Sequence, residues 1–152
     1  MAIRRKRITA LRSVIKRDEH QLATEKDDMT RALQLLRKHE QEMSSADDQL
    51  RDVESKMRES IGEDGTLSLT SLDRWRRYLP EVQRRHRQAR ETTSRSEVAV
   101  DQTTQAVTRR RAGIRAVEKV RDRLSAARRK EDDREAAKEI DATYLQRWRR
   151  PE

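Results

Sequence analysis

Apolar residues recur at every seventh position over the first third of the chain. Eight consecutive repeats carry an aliphatic or methionine side chain at this position: Ile8, Ile15, Leu22, Met29, Leu36, Met43, Leu50 and Met57. Side chains at this spacing form one slowly winding seam on an α-helix, which a partner helix buries in a left-handed supercoil. The pattern predicts a helix over about residues 3 to 61.

A second sevenfold pattern follows a short interruption, with more polar members. Its principal row is Leu72, Leu79, His86, Thr93, Val100, Val107 and Ile114. It predicts a longer helix over about residues 72 to 149. Pro80 lies two turns inside this helix, where a kink is expected.

Residues 62 to 71 are the predicted turn between the two helices. Gly62 is expected to take the left-handed conformation that closes a helix. Thr70 and Asp73 approximate a capping box for the second helix. The short alternating stretch 66–69 is expected to pack over the end of the hairpin.

The charges favour pairing of the two helices within one chain. Residues 38–59 hold seven acidic and four basic side chains, and residues 74–95 hold eight basic and two acidic ones. Folding at the turn brings residue i opposite about residue 133 − i and sets these segments side by side, whereas a parallel homodimer would align like charges. The predicted fold is all-α: one domain over residues 1–152, a long antiparallel two-helix coiled-coil hairpin whose second helix is longer.

The composition suits a two-helix seam better than a globular core. Hydrophobic residues make up 32% of the chain and charged residues 43%, with no Phe and no Cys. Disorder is the alternative, which the unbroken repeat opposes. The net charge of +9 favours acidic partners. The sequence shows no secretory signal and no apolar run of membrane-spanning length, so we expect a cytoplasmic protein.

Like charges meet at the open end of the predicted hairpin. Residues 1–17 hold seven basic side chains and no acidic one, and they would lie beside 116–132, which is also net positive. We interpret this basic end as a binding site for an acidic partner surface. The alternative is that its basic side chains are only solvated.

Two further surfaces carry aromatic residues. Ile140, Tyr144, Leu145 and Trp148 lie where the longer helix would overhang its partner, and they indicate a docking face for another protein or a segment folded back on the hairpin. At the closed end, Trp75 is expected to pack in the seam near Leu50, Val53 and Met57. Tyr78 lies off the seam and is expected to be available to a partner.

The sequence holds no arrangement of catalytic chemistry. The three histidines have no metal-ligand spacing, and we find no phosphate loop or nucleophile–base set. We expect a non-enzymatic protein with no cofactor, no metal, no catalytic residue and no small-molecule substrate.

Several features together resemble the FliJ/YscO family, the central stalk proteins of flagellar and virulence-associated type III secretion systems. They are a basic N-terminal helix, a glycine-containing turn, Arg74 and Trp75 followed by Tyr78, and the ending RRPE at residues 149–152. The likeness covers the whole chain in architecture and length. The chain is richer in arginine and poorer in aromatic residues than the flagellar members, which favours a virulence-system version.

The resemblance implies a shaft whose two termini insert into a hexameric secretion ATPase and whose closed end points toward the export gate membrane protein. It also implies binding of export chaperones and a place in the cytoplasm, peripheral to the inner-membrane apparatus. The residues carried over to the ATPase-facing end are Arg4, Arg5, Arg7, Ile8, Leu11, Ile15, Leu124, Arg128 and Arg129. Those carried over to the gate-facing tip are Leu50, Met57, Trp75 and Tyr78.

Two other functions stay open at this point. A pI of about 10.4 also suits a nucleic-acid-binding protein like a basic-region zipper, although Ile8, Leu11 and Ile15 already belong to the seam. The other alternative is a structural homodimeric coiled-coil scaffold.

Overall fold

Two long helices pack against each other as an antiparallel hairpin, which confirms the predicted all-α class. The computed structural model describes residues 2–62 and 66–148. Helix α1 spans Ala2–Glu59 and α2 spans Leu69–Trp148, so the second helix is the longer one, as expected. Helix α2 continues through Pro80 without interruption.

Burial follows the sevenfold pattern of both helices. On α1 the principal row and its companion row are buried or half-buried from Ile8 to Ser60, while the side chains between them are mostly exposed. The tightest contacts come from Val53 and Val82, which expose only 2% and 1% of their surface. The seam that the sequence predicts is therefore the core of the molecule.

The chain divides into two compact units. The first, called here the open unit, comprises Met1–Thr24 and Thr108–Glu152; the second, called the turn unit, comprises Glu25–Val107.

Polar residues in the seam of the turn unit pair across the helices. His86 Nε2 lies 2.6 Å from Asp47 Oδ1, and His39 Nδ1 lies 2.6 Å from Ser96 Oγ. The Thr93 hydroxyl also donates to the His39 carbonyl oxygen at 3.2 Å. These contacts match the predicted register to within about two residues. Each of them also gives a polar group in the seam the hydrogen-bond partner that it needs when buried.

The turn differs from the prediction in detail. Ile61 and Leu67 form an antiparallel β-bridge, and Ser68 N donates to the Ser60 carbonyl oxygen at 3.0 Å. The expected packing of residues 66–69 over the hairpin end is wrong, since Leu67 is 48% exposed and Leu69 is 70% exposed. The alternating stretch pairs instead with Ser60 and Ile61, which directly follow α1.

Helix α2 begins earlier than its predicted capping box. It starts at Leu69, and Leu72 N donates to the Ser68 carbonyl oxygen at 2.9 Å, so Thr70 already lies inside the helix. The bridge fixes Ser68 beside Ser60, and this tertiary constraint sets the start of α2.

Gly62 serves a different purpose from the one predicted. Its backbone is not left-handed; a Cβ placed there would lie 2.8 Å from Thr66 Oγ1 and 3.3 Å from the Thr66 carbonyl oxygen. Gly62 N donates to that same oxygen at 2.9 Å. Glycine is needed for the close approach of Thr66 rather than for a positive φ.

Candidate docking surfaces

In the open unit, the seam holds α1 and α2 together and is largely covered. Ile8 and Ile15 are each 6% exposed and Ile114 is 8% exposed. Leu11 and Leu124 are half-buried. The four apolar residues of the predicted ATPase-facing set, Ile8, Leu11, Ile15 and Leu124, are therefore buried or half-buried. A docking protein would meet the charged side chains around them.

Exposed cations form a ladder on α2 of the open unit. Arg111, Arg115, Lys119 and Arg123 follow one another at intervals of four residues, and all four are exposed. Among the described residues, none of these four side chains takes part in an ion pair. Like charges at this spacing destabilise a helix by about 0.2–0.5 kcal/mol per pair. These four residues are called here the basic ladder. Their mutual repulsion destabilises the helix locally, and an anionic partner would relieve that repulsion.

The start of α1 also carries exposed basic side chains. Its first turn contains no acidic residue, and Arg5, Lys6 and Arg7 are exposed. Arg5 lies in the first turn, where a cation opposes the helix dipole at a cost of about 0.3–1 kcal/mol near the surface. This end of α1 is also poised for an anionic partner.

Several basic side chains in the turn unit pair with carboxylates instead. Arg77 lies 2.8 Å from Asp73, Lys56 lies 2.6 Å from Asp52, and Arg95 lies 3.5 Å from Glu91, each pair one turn apart on one helix. In the open unit, residues 109–130 hold ten basic and two acidic residues. Residues 25–107 hold 15 basic and 17 acidic residues, so the net positive charge of the chain belongs to the open unit.

The predicted ATPase-facing arginines mostly lie at the surface. Arg5, Arg7 and Arg129 are exposed. Arg128 is half-buried, with its Nε 3.4 Å from Asp132 Oδ2. The side chain of Arg4 lies outside the described residues.

Beyond Asp132 every described side chain of α2 is exposed. Ile140, Tyr144, Leu145 and Trp148 expose 57%, 64%, 66% and 88% of their surface. The described residues therefore present this apolar face to solvent, and the alternative of folding back on the hairpin is not seen.

At the turn, two aromatic rings lie against each other. Trp75 and Tyr78 meet edge to face with ring centroids 6.4 Å apart, and Lys56 Nζ lies 4.9 Å from the Trp75 centroid. Trp75, Leu50 and Met57 are half-buried, whereas Tyr78 is 41% exposed. Trp75 thus packs in the seam, and the exposed part of the Tyr78 side chain is available to a partner.

One surface was missed by the sequence analysis. Ile61, Leu67 and Leu69 are 52%, 48% and 70% exposed on either side of the turn. Aliphatic residues flanking a polar, glycine-containing turn were the available signal. They widen the apolar surface of the turn beyond Tyr78.

Metal binding and membrane insertion have no candidate elements in the described part of the chain. No cluster of three or more His, Asp or Glu side chains forms a metal site there. No described helix combines the length and the apolar character needed to cross a bilayer.

Comparisons with protein-family models, with curated proteins and with solved structures give no match for this chain.

Proposed function

We propose that this protein is the central stalk of a type III secretion export apparatus. Its open unit docks into the hexameric secretion ATPase and promotes assembly and activity of the ring. The turn links the ATPase to the export gate membrane protein, and the stalk also binds export chaperones. The protein works in the cytoplasm, peripheral to the inner-membrane apparatus.

The observation that carries this proposal is the uncompensated charge of the open unit. The basic ladder and the start of α1 place exposed cations on both helices of a packed hairpin. Long-range attraction to an acidic surface needs such charge, and single exposed pairs contribute only about 0.2–1 kcal/mol. Many weak contacts suit a stalk that meets several equivalent ATPase subunits.

The zipper alternative fits this arrangement less well. A basic-region zipper reads DNA with helices that have no seam of their own. In the open unit, Ile8 and Ile15 are buried, so the basic segment is already packed against α2.

The turn is the proposed contact with the export gate. Tyr78 and the neighbouring aliphatic residues Ile61, Leu67 and Leu69 are exposed there. Apolar and aromatic side chains supply most of the binding energy in protein interfaces. This surface therefore supports a second protein contact, distinct in chemistry from the basic one.

Charge reversal of the open unit tests the ATPase contact. Changing Arg4, Arg5, Arg128 and Arg129 to glutamate should abolish stimulation of the secretion ATPase, because the attraction to an acidic surface becomes repulsion. Helicity by circular dichroism should be unchanged, since the variant keeps the buried apolar residues Ile8, Ile15 and Ile114 of the seam.

The matched control reverses four exposed arginines of the turn unit. Arg37, Arg51, Arg87 and Arg90 are exposed, two on each helix, and their change to glutamate lowers the net charge by the same amount. This variant should keep the stimulation. Full stimulation by the open-unit variant, or equal loss in both variants, would contradict the proposal.

A further inference from the structure

In the open unit, the side of α2 that faces away from α1 is strongly basic. Between residues 108 and 130, every residue at the heptad positions farthest from the buried row of Val107 and Ile114 is exposed. Cations at these positions extend over about 32 Å of helix, at about 1.5 Å per residue. They are called here the outer basic face and are Arg109, Arg115, Lys119, Arg123, Arg129 and Lys130.

The carboxylate on this side of the helix is already engaged. Asp122 Oδ1 accepts a hydrogen bond from Arg121 Nε at 2.9 Å and lies 2.8 Å from Arg121 Nη2. Among the described residues, Arg115, Lys119 and Arg123 take part in no ion pair. The outer basic face therefore keeps its positive charge available to an anionic partner.

The same side of α2 is nearly neutral in the turn unit. The equivalent heptad positions between residues 73 and 105 hold five basic and four acidic residues. Arg77 lies 2.8 Å from Asp73, and Arg84 lies 2.9 Å from Glu81. The outer basic face is thus confined to one segment of the helix.

The outer basic face is a narrow ridge with cations on both flanks. Its middle row holds Ala112, Lys119 and Ala126. Arg115 lies on one side of this row and Arg123 on the other, about 100° apart around the helix at 3.5 residues per turn. Small side chains along the ridge allow close approach of a concave partner whose two edges carry negative charge.

We propose that the outer basic face binds duplex DNA without sequence preference, with α2 lying in the major groove. This groove is about 12 Å wide and admits an α-helix. Its two edges are phosphate backbones, which the two flanks of the ridge would contact, and arginine is well suited to phosphate. Alanine side chains on the ridge donate and accept no hydrogen bond, so they read no base. The seam with α1 stays packed, unlike in a basic-region zipper, and the contact does not depend on the stalk function.

An anionic membrane is the competing partner. A helix that binds at a membrane interface buries an apolar face by about 5–10 Å. The exposed heptad positions that include the outer basic face hold no apolar side chain larger than alanine between residues 108 and 130. Binding to DNA needs no such insertion, because contacts to phosphates supply nearly all of non-specific affinity.

Salt dependence tests the contact with DNA. Fluorescence anisotropy of a labelled duplex of about 20 base pairs, or two helical turns, measures the affinity of the full chain from about 50 to about 200 mM salt. In the triple variant Arg115→Gln, Lys119→Gln and Arg123→Gln, the slope of log affinity against log salt should become shallower by about 2.7, because each lost phosphate contact removes about 0.9. The affinity at about 50 mM salt should fall at least about tenfold. Helicity by circular dichroism should be unchanged.

The matched control removes the same charge from the same side of α2 in the turn unit. Arg74, Arg87 and Arg95 are exposed there, and changing all three to glutamine should leave the slope unchanged. Equal changes in both variants would show that binding follows net charge alone and would contradict the proposal. A wild-type chain that does not bind the duplex at about 50 mM salt would overturn it.

Two further measurements test the class of partner. Two duplexes of unrelated sequence should bind with similar affinity, and a preference of about a thousandfold, as in specific recognition, would refute a contact made to phosphates alone. Vesicles of equal parts phosphatidylglycerol and phosphatidylcholine should not compete with DNA for the chain. Vesicles that displace the duplex, and bind the triple variant more weakly, would assign the outer basic face to a membrane instead.

A fluorescent label tests the position of the DNA. The chain has no cysteine, so Ala116→Cys and Ser94→Cys each carry a single label, on the same side of α2 in the open unit and in the turn unit. The duplex should shield the label at position 116 from quenching by acrylamide and leave the label at position 94 accessible. Equal shielding of both labels, or shielding at position 94 alone, would contradict the proposal.

Discussion

Two glycines in this chain have opposite requirements. Gly62 stands where the Thr66 hydroxyl and carbonyl oxygen approach closely, whereas nothing lies within 4 Å of a Cβ added at Gly113. Only the first position needs the absence of a side chain.

Alanine substitutions should separate these two roles. Gly62→Ala should lower the free energy of unfolding by about 1–3 kcal/mol, because the new methyl group is crowded by Thr66. Adding Thr66→Ala should recover part of the loss, since it removes the hydroxyl. Gly113→Ala is the control and should raise stability by about 0.5–1 kcal/mol, because alanine favours the helix. Thermal unfolding followed by circular dichroism measures all three; a Gly62→Ala protein as stable as wild type would refute the crowding.

The role of Gly62 shows which residue-level facts the sequence can supply. A glycine near the end of a long heptad pattern correctly predicted a turn. The reason for the glycine depends on Thr66, which the fold brings close, and no local pattern records that contact.

At the scale of the elements, the heptad repeat was sufficient to predict both helices and their seam. It also placed His86 in the seam, but it gave neither the partner of His86 nor that of His39. Those partners, Ser96 and Asp47, depend on the register between the helices. The start of α2 was misplaced because the bridge between Ile61 and Leu67 involves pairing beyond any local capping pattern.

A local ion-pair cluster on α2 gives a pH-dependent test of one element. Hydrogen bonds from Arg84, then from Arg85, lower the pKa of Glu81 from 4.5 to about 2. Ionised Glu81 therefore supports the folded helix above about pH 4.5, and this support is lost as the pH falls through about 2.

Carbon-13 NMR titration of the Glu81 carboxyl group should locate this pKa. Wild-type protein at low ionic strength should titrate at a midpoint well below 4.5. The double variant Arg84→Gln and Arg85→Gln should return the midpoint toward 4.5, because both donors are lost. A wild-type midpoint at 4.5 would show that the two arginines do not hold the carboxylate in solution.

At the scale of the whole molecule, charge is distributed unevenly between the two units. The turn unit pairs many of its basic residues with carboxylates one turn away, and the open unit leaves its basic ladder uncompensated. The sequence predicted the basic end from the composition of residues 1–17 and 116–132. The sevenfold pattern also placed Ile8 and Ile15 in the seam, and both are buried there against α2.

Affinity purification from the native host tests the central claim most directly. The tagged wild-type chain should co-purify a hexameric secretion ATPase. The variant with glutamate at positions 4, 5, 128 and 129 should lose it, and the matched turn-unit variant should retain it. Absence of an ATPase from the wild-type sample, or equal recovery with all three chains, would contradict the account.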